Sequence, residues 1–182
     1  MATSTHSTAI TSAISKIKEV GINLLALDFD QTILDIHTGG AWKGTLEELF
    51  PHVRPVFAQL IQAAVDSDIQ VAVVTFSVQT LYVRGVLDHI VGIQASQQIP
   101  IRGGDRSWTY QGTGSLDGKQ PHIASAVEEL ENRFDIQIAR YSTLLIDDDH
   151  RNIKYALHNG TRAIWFNPKK PHLLLQDLMR LV

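Results

Sequence analysis

Three apolar runs that each end in polar or acidic residues constrain this chain more than any other feature. Leu24-Leu25-Ala26-Leu27 runs into Asp28-Phe29-Asp30, Val71-Ala72-Val73-Val74 into Thr75-Phe76-Ser77, and Leu144-Leu145-Ile146 into Asp147-Asp148-Asp149. Short continuous apolar runs suit strands buried on both faces, and such strands belong to parallel sheets covered by helices. The spacing predicts strands over 23–29, 69–76, 142–148 and 161–166, with one further core strand over 91–95. Helical periodicity falls between them, over 9–20, about 53–66, 78–90, 120–133 and 150–159, and again in the closing HLLLQDLMRLV. A Ser/Thr-rich stretch over residues 1 to about 8 reads as frayed, and a small hairpin is expected around Gly103-Gly104.

Strands alternating with helices predict an α/β architecture of three layers, a mostly parallel sheet with helices on both faces. The expected organisation is an N-terminal tail and helix over 1–20, then one domain over 21–182 with short loop insertions around 33–50 and 96–118. Ligands in such folds bind beyond the carboxyl ends of the strands. That is where Asp28, Thr75 and Asp147-Asp148 converge from three strands.

Composition removes several kinds of chemistry. The 182 residues include no cysteine, so disulfides, thiolate nucleophiles and zinc-thiolate sites are excluded. A formal charge of -3, from 16 Lys and Arg against 19 Asp and Glu, gives no reason to expect nucleic acid or an anionic membrane as partner. The N-terminal stretch is too polar for a signal-peptide core and the longest apolar runs are strand-sized, so a cytoplasmic or otherwise intracellular protein is expected.

Several carboxylates gathered in one crevice repel each other, which raises their pKa values or recruits a cation. Oxygen ligands without thiolates favour a hard ion, and Mg2+ is the usual choice beside phosphate. Asp28 could then attack phosphorus to give an acyl phosphate, and Asp30 could protonate the leaving oxygen and later activate water. Thr75 or Ser77 could donate to a phosphoryl oxygen, and Lys119 could neutralise charge on it and on Asp28.

These residues resemble the signature of the haloacid dehalogenase-like (HAD) superfamily, in particular its aspartate-dependent phosphatases. The first motif, Asp-x-Asp-x-Thr, stands here as Asp28-Phe29-Asp30-Gln31-Thr32 after an apolar strand. The second matches Thr75 in VAVVTFS, the third Lys119 in DGKQPHI, and the fourth Asp147-Asp148 in LLIDDDHRNI, with Asn152 as the downstream polar residue. The resemblance covers roughly residues 22–167 and implies a HAD core without a large cap.

By this resemblance Asp28 is the nucleophile and a Mg2+ ligand, and Asp30 is the acid/base, lending a backbone carbonyl to the metal. Asp148 is the direct acidic ligand, with Asp147 either joining it or holding a metal-bound water. Thr75, Phe76, Ser77 and Lys119 line the phosphate position. Asp149 is expected to face solvent, and Lys154, Arg102 and Arg106 compete with Lys119 for the role of the cation. His37, His122, His150 and His158 are expected in surface or capping roles, and Trp42, Trp108 and Trp165 in packing.

Neither loop insertion is long enough for a cap with its own core. The segment DIHTGGAWKGT could form a flap, with His37, Thr38, Trp42 and Lys43 as candidate substrate contacts. The later segment could bring Arg102, Arg106, Trp108 and Tyr110 to the rim. The expected activity is Mg2+-dependent hydrolysis of a phosphomonoester, small molecule or phosphoprotein, with room for a homo-oligomer. The alternative is a catalytically silent HAD-fold domain that binds a metal or a protein. A receiver-type signalling domain fits worse, because such a domain has no Asp two residues beyond its acceptor.

Overall fold

The computed structural model describes the backbone of residues 2–182 and the side chains from residue 8 onward. Five strands form one sheet, β1 (Leu24–Leu27), β2 (Gln70–Val74), β3 (Ile101–Arg102), β4 (Thr143–Asp147) and β5 (Arg162–Trp165). Their order is β3-β2-β1-β4-β5, and every pairing is parallel. The helices are α1 (Ala2–Glu19), α2 (Pro55–Val65), α3 (Thr80–Val91), the single turn α4 (Ile93–Ser96), α5 (Gln120–Phe134), α6 (His150–His158) and α7 (Leu173–Met179).

Successive side chains of a strand point to opposite faces, so a strand buried on both sides must be apolar throughout. β1 meets that demand with Leu25 and Leu27 on one face and Leu24 and Ala26 on the other. The first face packs against α1, α2, α3 and α7 through Ile14, Ile17, Phe57, Leu60, Val83 and Leu174. The second packs against α5 and α6 through Ile123, Ala126, Leu130, Ile153 and Ala156. The result is the three-layer, doubly covered sheet that the apolar runs predict. Among the described residues no helix is long and apolar enough to cross a membrane.

The chain lays β1, β2 and β3 outward along one flank, then returns to the other flank of β1 with β4 and β5. The direction therefore switches between β1 and β4. Leu27 pairs with Ile146 across that seam, and Asp28 N–H donates to the Ile146 carbonyl at 3.0 Å. The two acidic strand ends are thus held side by side at the sheet's switch point, where ligand crevices form.

Three local expectations are corrected. The first helix begins at Ala2 rather than near residue 9, and Met1 lies outside the described residues. The strand expected over 91–95 is instead the helical turn Ile93–Ser96, and the edge strand is Ile101–Arg102, two residues pairing with Val73 and Val74. Pro100, which has no N–H to donate, directly precedes that strand. No hairpin forms at Gly103-Gly104. A Cβ on Gly103 would stand 2.7 Å from the Ser77 carbonyl oxygen and one on Gly104 2.6 Å from that of Phe76. These glycines serve close backbone approach: Gly104 N–H donates to the Ser77 carbonyl at 2.9 Å, bracing the loop after β2.

Candidate active site

Asp28 leaves β1 in extended conformation, and the chain then turns sharply through Gln31, whose φ of 60° lies in the left-handed region. That turn returns Thr32 to Asp28, and the threonine hydroxyl donates to Asp28 Oδ2 at 3.0 Å. Asp28 Oδ1 accepts from Lys119 Nζ. Lys119 is almost fully buried. Its ammonium also donates to the Val74 carbonyl at 2.6 Å and lies 3.1 Å from Asp147 Oδ2. All three protons of the ammonium thereby have acceptors, which a buried cation requires.

Asp147 ends β4 and is itself held on both oxygens. Asp149 N–H donates to Oδ1 at 2.8 Å, and Asn152 Nδ2 donates to Oδ2 at 3.0 Å. Asp148 is half-buried and projects from the next position, its carbonyl fixed by Trp165 Nε1 at 2.8 Å. His150 stacks on that indole with ring centroids 4.1 Å apart. Asp149, expected to face solvent, caps α6 by accepting from Arg151 N–H at 2.8 Å while lining the edge of the cleft.

Asp28, Asp147 and Asp148 can each bring one oxygen within 4.8 Å of the others. Burial pushes the Asp28 carboxyl up to about 7; Lys119 pulls it down, and Asp147 adds to the rise. Burial and Asp147 raise Asp148 as well. When ionised, the three carboxylates facing one ammonium carry an excess of two negative charges, which a divalent cation would balance. Oxygen-only donors in a chain without cysteine fit a hard ion such as Mg2+, which Asp28, Asp147 and Asp148 would hold.

Asp30 stands apart from this cluster. Its carboxylate is held by the loop that follows, with Thr38 Oγ1 donating at 2.8 Å and Thr38 N–H at 3.1 Å. His37 Nδ1 lies 3.4 Å from the same group. The rest of this loop docks on α3 and the segment before it. Gln79 exchanges hydrogen bonds with the Trp42 backbone at 2.6 and 3.0 Å, and Tyr82 Oη donates to the Gly44 carbonyl at 3.0 Å. Of the four candidate contacts on this flap, His37 lines the cleft, Thr38 serves Asp30, Trp42 anchors the loop and Lys43 is exposed.

The cleft has a volume of about 340 Å³. Thr75, Phe76, Ser77 and Lys119 line it together with Asp28, Asp30, Asp147, Asp148 and Asn152. All the residues singled out from sequence as the reactive constellation therefore meet in one place. The competing cations do not. Arg102 is buried against Ser125 and Glu129, at 2.8 and 2.6 Å, and Arg106 and Lys154 are exposed. His122 corrects the expectation of a surface histidine. It is buried between Phe76 and Trp108, and burial, with Lys119 and Arg102 nearby, lowers its pKa to about 4. Sequence reasoning did not foresee that Thr38 holds Asp30, Gln79 the flap, or Trp165 the Asp148 carbonyl.

No protein-family model and no curated protein matches the chain. Solved structures do resemble it. The N-terminal part of a Bacteroides fragilis protein, containing a phosphatase domain and complexed with Mg, superposes with a TM-score of 0.58 at 13% identity. That match covers 94% of this chain and 43% of the other, so this chain spans less than half of that protein. A predicted HAD-like family hydrolase from Porphyromonas gingivalis gives 0.52 at 10% identity, covering 89% and 100%. The HAD domain of the Legionella pneumophila effector protein Lem4, as an inactive mutant, gives 0.50 at 14%, covering 87% and 93%. The fold is that of the HAD-like hydrolases.

Proposed function

We propose that the protein is a Mg2+-dependent phosphomonoester hydrolase working through an aspartyl phosphate on Asp28. The observation that carries this reading is the division of labour between two aspartates two residues apart. Asp28 is oriented by Thr32 and Lys119 inside a carboxylate cluster suited to a cation, whereas Asp30 is held outside it by Thr38.

In the first step a carboxylate oxygen of Asp28 forms a bond to phosphorus as the bond from phosphorus to the ester oxygen breaks. The departing oxygen keeps the electron pair and takes a proton from Asp30, so the alcohol leaves neutral. In the second step water bonds to phosphorus, Asp30 accepts its proton, and the acyl-phosphate P–O bond breaks. Inorganic phosphate leaves and both aspartates are restored. Lys119, the Thr75 hydroxyl and the Phe76-Ser77 segment hold the phosphoryl oxygens while charge shifts among them. Mg2+, when bound, neutralises charge on the phosphoryl group and keeps the carboxylates ionised. Docked on Gln79, the flap narrows the opening on the Asp30 side.

The test is hydrolysis of a phosphoester panel by the purified chain, with Mg2+ and with EDTA, alongside Asp28→Asn. The expected result is turnover that needs Mg2+ and a loss of at least about a thousandfold in Asp28→Asn. Equal rates for the two proteins would overturn the nucleophile assignment.

A further inference from the structure

The mouth of the cleft carries an apolar face that the chemistry at Asp28 does not require. Burial alternates along the loop after β2: Thr75 and Ser77 are buried, whereas Phe76 and Val78 are 56% and 54% exposed. Both exposed side chains line the same cleft as Asp28 and Asp30. What sets these two apart from the other exposed apolar side chains is their place in the lining of a polar cleft, where they can supply contact area to the apolar part of a ligand.

Their positions relate to the two aspartates differently. The Phe76 ring lies 5.3 Å from Lys119 Nζ, the cation paired with Asp28. The ring is also fixed by contact with His122, centroids 5.2 Å apart at 88°, and His122 in turn packs on Trp108 at 4.6 Å. Phe76 is therefore a braced wall beside the nucleophile. Val78 faces the flap, where a Cβ on Gly40 would stand 3.8 Å from Val78 Cγ2. Gly40 N–H donates to Thr38 Oγ1 at 3.3 Å, and that hydroxyl holds Asp30. Gly40 thus packs against Val78 on the Asp30 side, and the exposed Phe76 ring is the apolar surface beside Asp28 that a leaving group can meet. An exposed phenyl ring at this position suits a flat apolar group, and it offers the hydroxyls of a sugar or polyol no hydrogen-bond partner.

Resting on the phosphatase reading of this cleft, we infer that its substrates are aryl phosphate monoesters, in which an aromatic ring is bonded directly to the bridging oxygen. Phe76 and Val78 are the specificity-determining residues, and the leaving ring packs on Phe76. A free phenolic ester and a phosphotyrosyl side chain share this chemistry.

The experiment measures kcat/KM with Mg2+ for phenyl phosphate, phosphotyrosine, a phosphotyrosyl peptide, phosphoserine and glycerol 3-phosphate. Wild type, Phe76→Leu and Phe76→Trp are compared. Dividing each variant's value by the wild-type value for the same ester cancels the intrinsic reactivity of the leaving group, and a partly misfolded preparation lowers every ester alike. In Phe76→Leu, which keeps an apolar side chain and loses the ring, the aryl-to-alkyl ratio is expected to fall about threefold to tenfold, the worth of an aromatic pair. Phe76→Trp is expected to keep the ratio. A peptide preferred over free phosphotyrosine identifies a tyrosyl side chain as the source, and parity with phenyl phosphate identifies small phenolic esters. A fall shared equally by aryl and alkyl esters overturns the inference, since the ring would then act only through Lys119. Wild type that hydrolyses no ester with Mg2+ would bring down the phosphatase reading instead, a distinct result from hydrolysis indifferent to the ring.

Discussion

Thr38 holds both carboxylate oxygens of Asp30, its hydroxyl lying 2.8 Å from Oδ1 and 3.0 Å from Oδ2. This bond ties the flap to the residue proposed as acid and base. Thr38→Val keeps the shape of the side chain and removes the hydroxyl, so Asp30 keeps the hydrogen bond from the Thr38 backbone N–H and the neighbouring His37 Nδ1. We expect kcat to fall about tenfold, a fraction of what general acid catalysis contributes. The loss should grow as the leaving group becomes poorer, because protonation then matters more, and Thr38→Ser should restore the rate. Steady-state kinetics on an ester series graded by leaving-group pKa checks both statements.

Lys119 separates two buried carboxylates. Replacing it by Met leaves Asp28 and Asp147 without their shared cation, and a buried ion pair broken on one side costs about 3–5 kcal/mol. Adding Asp28→Asn to that variant removes one of the stranded charges. The double variant should therefore be more stable than Lys119→Met alone, a reversal that independent sites would not show. Urea unfolding of the four proteins in EDTA measures it.

The apolar strands were legible because a strand buried on both faces tolerates only apolar residues, as Leu24–Leu27 and Leu144–Ile146 illustrate. β3 was not, since two residues make no hydrophobic run, and Ile93, placed in a strand, is 64% exposed on a helical turn. Asp28, Thr75, Lys119 and Asp147 could be read from local patterns at strand ends and before a helix. The motif already pointed to Lys119, but why Arg102 is not free for the role shows only in the fold, where it is committed to Glu129. The supporting bonds are less visible still. Thr38 to Asp30 spans eight residues, Trp165 to Asp148 spans 17 and Gln79 to Trp42 spans 37. Each joins a loop to another segment, and no periodicity in a single chain encodes such a pairing.

The cluster of Asp28, Asp147 and Asp148 predicts a thermal shift with Mg2+. A cation at about a hundred times its Kd stabilises by about 2.7 kcal/mol, which for a domain of this size raises Tm by roughly 5 to 10 °C. Asp148→Asn should shrink the shift, since it removes the most accessible of the three ligands. Trp165→Phe should weaken it less, because the indole fixes only the Asp148 carbonyl. Calorimetric scans with Mg2+ and with EDTA distinguish the three proteins.

His122 gives the fold a dependence on pH that can be separated from the carboxylates. Its ring is buried between Phe76 and Trp108, Nδ1 has no protein partner, and Lys119 and Arg102 add positive charge nearby. Its pKa falls from 6.5 to about 4, so between those values the unfolded chain binds a proton that the folded chain refuses. Stability from this group is therefore full above pH 6.5 and is lost as pH falls toward 4, by at most ~3 kcal/mol. His122→Gln cannot titrate, so its stability should fall less than that of wild type between pH 7 and pH 4.5. The carboxylates contribute alike to both proteins and cancel in the difference. Urea midpoints at the two pH values supply the four numbers, and parallel pH dependence in the two proteins would show that His122 is protonated as easily in the fold as in the open chain.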